Sequence, residues 1–161
     1  MKIRLLAVGT KLPNWVTEGF NEYIKRLPQS FSLELCEIPA EKRPTNPSKI
    51  SDALIKQIKE KEGFRILSKV NANHKLIALD VLGKPWSTET LSKNLNEFKQ
   101  EGQNIDLIVG GPDGLSMECL NKANLKWSLS PLTLPHPLVR IVIAEQIYRA
   151  HSILTNHPYH R

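Results

Sequence analysis

Cysteine is almost absent. Cys36 and Cys119 stand 83 positions apart and no CxxC pair occurs, which excludes a disulfide framework and a zinc ribbon and leaves two buried thiols as the expectation. Long apolar runs are missing as well. A run such as Ile141–Ala144 holds four residues, far short of the ~20 that cross a bilayer, and the opening MKIRLLAVGTKLP carries too short an apolar stretch for a secretory signal. A soluble, cytoplasmic protein without a membrane partner is the expectation. No internal repeat or low-complexity segment is present, and neither GxGxxG nor GxxxxGK[ST] occurs, so the dinucleotide fingerprint and the P-loop are both excluded.

What is present amounts to one domain, residues 1–161, with 40% apolar residues, too many for a disordered chain. Lys and Arg number 22 against 16 Asp and Glu, a net charge of +6. The excess sits in residues 1–80, at +5, against +1 in residues 81–161. A basic half suits an anionic partner such as RNA, and equally a merely solvated face. Histidine is also uneven: His136, His151, His157 and His160, four of the five, lie in the last 26 residues.

Hydrophobic periodicity predicts alternating strands and helices. Lys2–Val8 reads as a buried strand, then a helix capped by Asn14 carries Val16, Phe20, Tyr23, Ile24 and Leu27 until Pro28 stops it. A second strand covers Phe31 to Ile38, residues 39–48 form a proline-rich loop, and Ile50, Leu54 and Ile58 mark a charged helix broken or frayed at Gly63. Lys75–Asp80 is a third strand, Ser87 caps a helix with Leu91, Leu95 and Phe98, and Ile105–Val109 is a fourth strand. Ser116 caps a short helix, residues 127–129 form a fifth strand, and Pro137 opens a long helix through Ser152. The pattern predicts a single-domain α/β fold with a largely parallel sheet and helices on both faces.

In such sheets ligands bind outside the carboxyl ends of the strands. Three loops qualify: residues 80–86, the GGPDG turn with its neighbour at 110–115, and 130–137. Gly110 and Gly111 remove side chains at a strand end and leave backbone amides to face a ligand, although a plain tight turn has the same composition. Asp80 is placed to accept from a ligand hydroxyl or amine, or to be a satisfied turn carboxylate. The stretch SPLTLPHP, residues 130–137, is rigid and short of amide donors, which suits a pocket wall or a connector. Lys84 and Trp86 are weak candidates for nucleic-acid contact. Glu145 and Arg149 are spaced as an ordinary surface pair. The apolar residues of the last helix cover more than one face, as a fully buried helix or a dimer contact requires. The tail NHPYHR, residues 156–161, combines imidazoles, a phenol and a guanidinium. Tyr159 could stack on a base and Arg161 could pair with phosphate, whereas His157 and His160 alone are too few to hold a metal.

With LLAVGTK, LD..GKPWS, GGPDGLS, LSPLTLPHPLVR, AEQIYRA and NHPYHR, the sequence resembles the large-subunit ribosomal RNA methyltransferases of the SPOUT, or α/β-knot, superfamily nearly end to end. The resemblance implies a homodimer with a C-terminal trefoil knot and methyl transfer from S-adenosylmethionine to N3 of pseudouridine 1915 in 23S rRNA, on the assembled ribosome. It implies cofactor contacts at Leu79, Asp80, Gly110, Gly111, Ser130, Pro131, Leu132, Thr133, Leu134 and Pro135. Because the imide N3 must lose its proton, His160, Tyr159 or a bound water is expected to assist, with Arg140 or Arg161 stabilising the anionic base and no metal involved. The readings from other classes are a noncatalytic basic module that binds RNA or the ribosome, and a hydrolase using the tail histidines with zinc.

Overall fold

Strand β1 (Lys2–Val8) is buried on both faces, Ile3, Leu5 and Ala7 entering one hydrophobic layer and Leu6 and Val8 the other. Two covered faces are what a parallel sheet demands, since each crossover helix lies on a face. In the computed structural model, which describes residues 1–161, β2 (Ser32–Ile38), β3 (Lys75–Pro85), β4 (Ile105–Val109) and β5 (Leu125–Ser128) complete a five-stranded sheet of order β2-β1-β4-β3-β5. Every pairing in it is parallel.

Helices α1 (Asn14–Ile24), α3 (Thr88–Gln100) and α5 (His136–Leu154) cover one face, and α2 (Asp52–Leu67) and α4 (Met117–Lys122) the other. Side-chain hydroxyl caps start three of them: Ser51 accepts from Leu54 N, Ser87 from Thr90 N and Ser116 from Cys119 N. At the amino ends of the strands the buried Asp106 accepts from Arg4, His74 and the amide of Asn71. This ties β1, β4 and the approach to β3 together at the edge away from the glycine turn.

Several boundaries differ from the sequence reading. Helix α1 begins at Asn14 with Pro13 in the cap position and no side-chain cap bond, and it ends at Ile24. Helix α2 is unbroken through Gly63 and starts after Ser51, with a separate 3-10 turn at Pro47–Lys49. Gly63 is kept inside the helix by packing: an added Cβ there would collide with the hydroxyl of Ser116. Strand β3 runs past Asp80 to Pro85 with a break in register between Leu79 and Lys84. The fifth strand is Leu125–Ser128, one residue short of Leu129, and α5 extends to Leu154.

Candidate functional site

All strands being parallel, their carboxyl ends share one edge, and the β3, β4 and β5 exits meet there around a cleft of about 190 Å³. Leu79 and Asp80 line it from β3, Gly111 and Gly114 from the turn after β4, and Ser130, Leu132, Thr133 and Leu134 from the segment after β5. The structure thus brings these predicted residues together. Gly110, Pro131 and Pro135 belong to the same loops but do not line the cleft, and Pro135 caps α5.

The turn closes tightly. Gly114 N donates to Gly111 O at 2.9 Å, Gly114 has φ +86°, and a Cβ on Gly110 would overlap the Gly114 backbone. Glycine is required here by geometry. Across the cleft, Ser130 Oγ accepts from Leu132 N at 3.0 Å, which shapes the proline-rich segment without help from the sheet. Trp127 forms part of the cleft wall and stacks on Trp86 with centroids 5.1 Å apart. Its buried Nε1 has no hydrogen-bond partner. Asp80, the cleft's carboxylate, makes no ion pair. Apolar walls and a free carboxylate suit an organic ligand that has hydroxyl or amine groups.

Beside the cleft, at the ends of β1 and β4, lies a polar cluster of which the sequence named only Arg140, as a candidate to stabilise the anionic base, and His136, through the uneven histidines. His136 stands 3.5 Å from Arg140 Nη2. Burial and that guanidinium hold its imidazole below the usual value, against the pull of the Val8 and Gly110 carbonyls. Arg140 is itself buried. It donates to Glu37 at 3.0 Å and to the carbonyls of Gly9 at 2.7 Å and Val8 at 3.3 Å, and it does not line the cleft. Glu62, also buried, is paired with Arg43. The uneven histidine content was a signal for His136, while nothing local marks Glu62 or Arg43.

The tail lies elsewhere on the chain. Residues Pro158–His160 form a 3-10 turn packed on α5, where the Tyr159 ring meets Tyr148 at 4.7 Å and its hydroxyl donates to Glu145 at 3.2 Å. Glu145 also binds Arg149 through two guanidinium nitrogens, so the pair read as a surface contact is the tail's anchor. Burial and the Glu145 carboxylate push the Tyr159 phenol up to about 12. His160 Nδ1 lies 2.5 Å from His157 O, and Arg161 is exposed without a carboxylate partner. Ten residues of α5 separate Val139, in the cleft wall, from Arg149, ~15 Å at the α-helical rise. No His, Cys, Asp or Glu group of three or more is gathered in a metal-binding arrangement, and no helix is long and apolar enough to cross a membrane.

Residues 1–160 match the model of the family described as "Predicted SPOUT methyltransferase". A relative from Marinomonas sp. (strain MWYL1), "Ribosomal RNA large subunit methyltransferase H", is 50% identical over 161 residues, covering 100% of both chains. Among solved structures, a "probable methylase family protein" from Haemophilus influenzae Rd KW20 aligns with a TM-score of 0.55 and 12% identity over 99% of this chain and 70% of that one. A "Probable Methyltransferase" from Bordetella pertussis Tohama I aligns with a TM-score of 0.53 and 15% identity over 92% of this chain and 95% of that one. At such identities the likeness is one of fold.

Proposed function

The chain belongs to the SPOUT methyltransferase family, and from that premise we propose that it methylates N3 of pseudouridine 1915 in 23S rRNA, using S-adenosylmethionine, on the assembled ribosome and in the cytoplasm. The observation that carries the reading is the convergence of three strand-end loops on one cleft with a free carboxylate. The full-length relative named for methylation of large-subunit ribosomal RNA supports the acceptor.

When bound, S-adenosylmethionine supplies an electrophilic methyl group. Asp80 would accept the cofactor's hydroxyl or ammonium donors at the rim, and the backbone of the glycine turn and of the segment 130–134 would hold its adenosyl part. Leu79, Leu132 and Leu134 exclude water, and Gly110, Pro131 and Pro135 fix the shape of the two loops. Much of the rate comes from in-line alignment in a dry site. The N3 proton must depart as the new N–C bond forms. Tyr159, held protonated and donating to Glu145, is a poor proton acceptor, which leaves His160 or a water in that role. Arg161 offers its charge to the anionic base, while Arg140 secures the β1 end beneath His136.

The tail docks on α5 between Glu145 and Arg149, ~9 to 15 Å along the helix from Val139 in its own cleft, so we take the working form to be a homodimer in which each tail serves the other chain's cleft. The exposed apolar residues Val81, Leu82, Leu132 and Leu138 at the same edge favour a second copy there. The path from β5 into α5 is taken to be the trefoil knot of the family.

Incubation with methyl-labelled S-adenosylmethionine and either unmethylated ribosomes or free 23S rRNA, followed by mass spectrometry of nuclease fragments, tests the reading. Label on a single pseudouridine, with ribosomes the better substrate, is expected. Salt-sensitive ribosome binding without label or cofactor affinity would replace it with a noncatalytic binding module.

A further inference from the structure

We propose that Arg43 and Glu62 are positioning residues that hold the glycine turn in its cofactor-binding shape, an inference that rests on the methyltransferase reading above. Glu62 on α2 is 1% exposed, and a carboxylate so buried must be paired to be tolerated. Its partner comes from the β2–α2 loop. Arg43 Nη1 donates to Glu62 Oε1 at 2.9 Å and Nη2 to Oε2 at 3.3 Å, while the Glu41 amide donates to Oε1 at 2.9 Å. The remaining edge of the same guanidinium reaches the turn: Arg43 Nε donates to Asp113 Oδ2 at 2.9 Å.

One planar fork therefore joins α2, the β2–α2 loop and the GGPDG turn. The pair stands directly behind a cleft residue, since a Cβ on Gly111 would come within 3.0 Å of Glu62 Oε2 and 3.1 Å of Arg43 Nη2. The neighbouring Gly63 lets α2 press on Ser116 just past the turn. Neither Arg43, Glu62 nor Asp113 lines the cleft, so their effect passes through the backbone of the turn. Stability is a poor reason for such a pair, because apolar side chains of similar volume serve as well or better. What the ions add is direction: a five-donor fork fixes the angle at which Asp113, and with it Gly111 to Gly114, is held.

Three variants test this: Asp113→Ala, Arg43→Lys, and the double substitution Arg43→Met with Glu62→Met, which removes both charges together and so leaves no buried carboxylate unpaired. Each is measured by urea unfolding, by calorimetric titration with S-adenosylmethionine and S-adenosylhomocysteine, and by hydrogen exchange at the Gly114 amide. Asp113→Ala and the double variant are expected to keep the urea midpoint, to expose the Gly114 amide faster, and to weaken cofactor binding roughly tenfold, the loss of one charged hydrogen bond. Arg43→Lys, which cannot serve both carboxylates with a fork, is expected to weaken cofactor binding in the same direction. Unchanged exchange at Gly114 in both Asp113→Ala and the folded double variant overturns the proposal, whatever the cofactor does. A wild type that binds no cofactor overturns the methyltransferase reading instead and leaves the exchange result to decide this one.

Discussion

His136 and His151 are both held below the ordinary imidazole value, His136 by burial and Arg140, His151 by burial and Lys99. A group whose folded pKa is depressed resists a proton that the unfolded chain accepts. Stability is therefore complete above the unfolded value of about 6.5 and declines as pH falls below it, by at most ~1.4 kcal/mol per pH unit for each proton withheld. Urea unfolding at pH 7.5 and 5.5 should give a lower stability at the acid value. His151 packs on Phe31 with centroids 4.6 Å apart, and its buried Nδ1 has no partner, so His151→Leu should shrink the difference. A difference as large as in the wild type would show that His151 takes its proton in the folded state.

At the scale of elements, Gly63 shows how packing overrides propensity. In an exposed helix, glycine costs about 1 kcal/mol relative to alanine, and that penalty is why the sequence reads as frayed where α2 is continuous. Yet alanine at 63 would strike the Ser116 hydroxyl, which is also the cap of α4. Gly63→Ala is thus expected to destabilise, and Ser116→Ala to destabilise by roughly 1 kcal/mol through loss of the cap. The double variant, with the obstructing oxygen gone, should lose less than the sum, by ~0.5 kcal/mol or more. Simple additivity in urea titrations would show that the collision does not govern α2.

The same contrast explains what the sequence could reveal. Strands β1 and β4 were legible because both faces are covered and their residues are mostly apolar, and the strand-end rule then selected the three loops that line the cleft. The turn of α2 against α4, the run of β3 to Pro85 and the Arg43 bridge were not. Arg43 reaches 19 positions to Glu62 and 70 to Asp113, and no periodicity or local spacing encodes a contact of that separation.

For the whole molecule, the decisive relation is between cleft and tail. Helix α5 starts at the cleft, and the tail folds back so that Tyr159 packs on Glu145, Tyr148 and Arg149 in its middle turns, which keeps the docked tail out of its own cleft. Glu145, Arg149 and Tyr148 hold the tail firmly enough that it is a built surface of the protein, and a built surface bearing His160 and Arg161 can act on a second chain's cleft without unfolding. Two inactive chains should then complement each other. One lacks residues 158–161 and keeps its cleft; the other keeps its tail and carries Thr133→Trp, a bulky side chain at a cleft-lining position. In mixed dimers the intact tail meets the intact cleft once per dimer, so methylation of ribosomes should rise above that of either parent alone and should be lost again when Arg161→Ala is placed on the chain that supplies the tail. Activity no higher than the parents, in a mixture shown by mass to contain the mixed dimer, would mean that each tail serves its own cleft. The docked conformation on α5 would then have to open before catalysis.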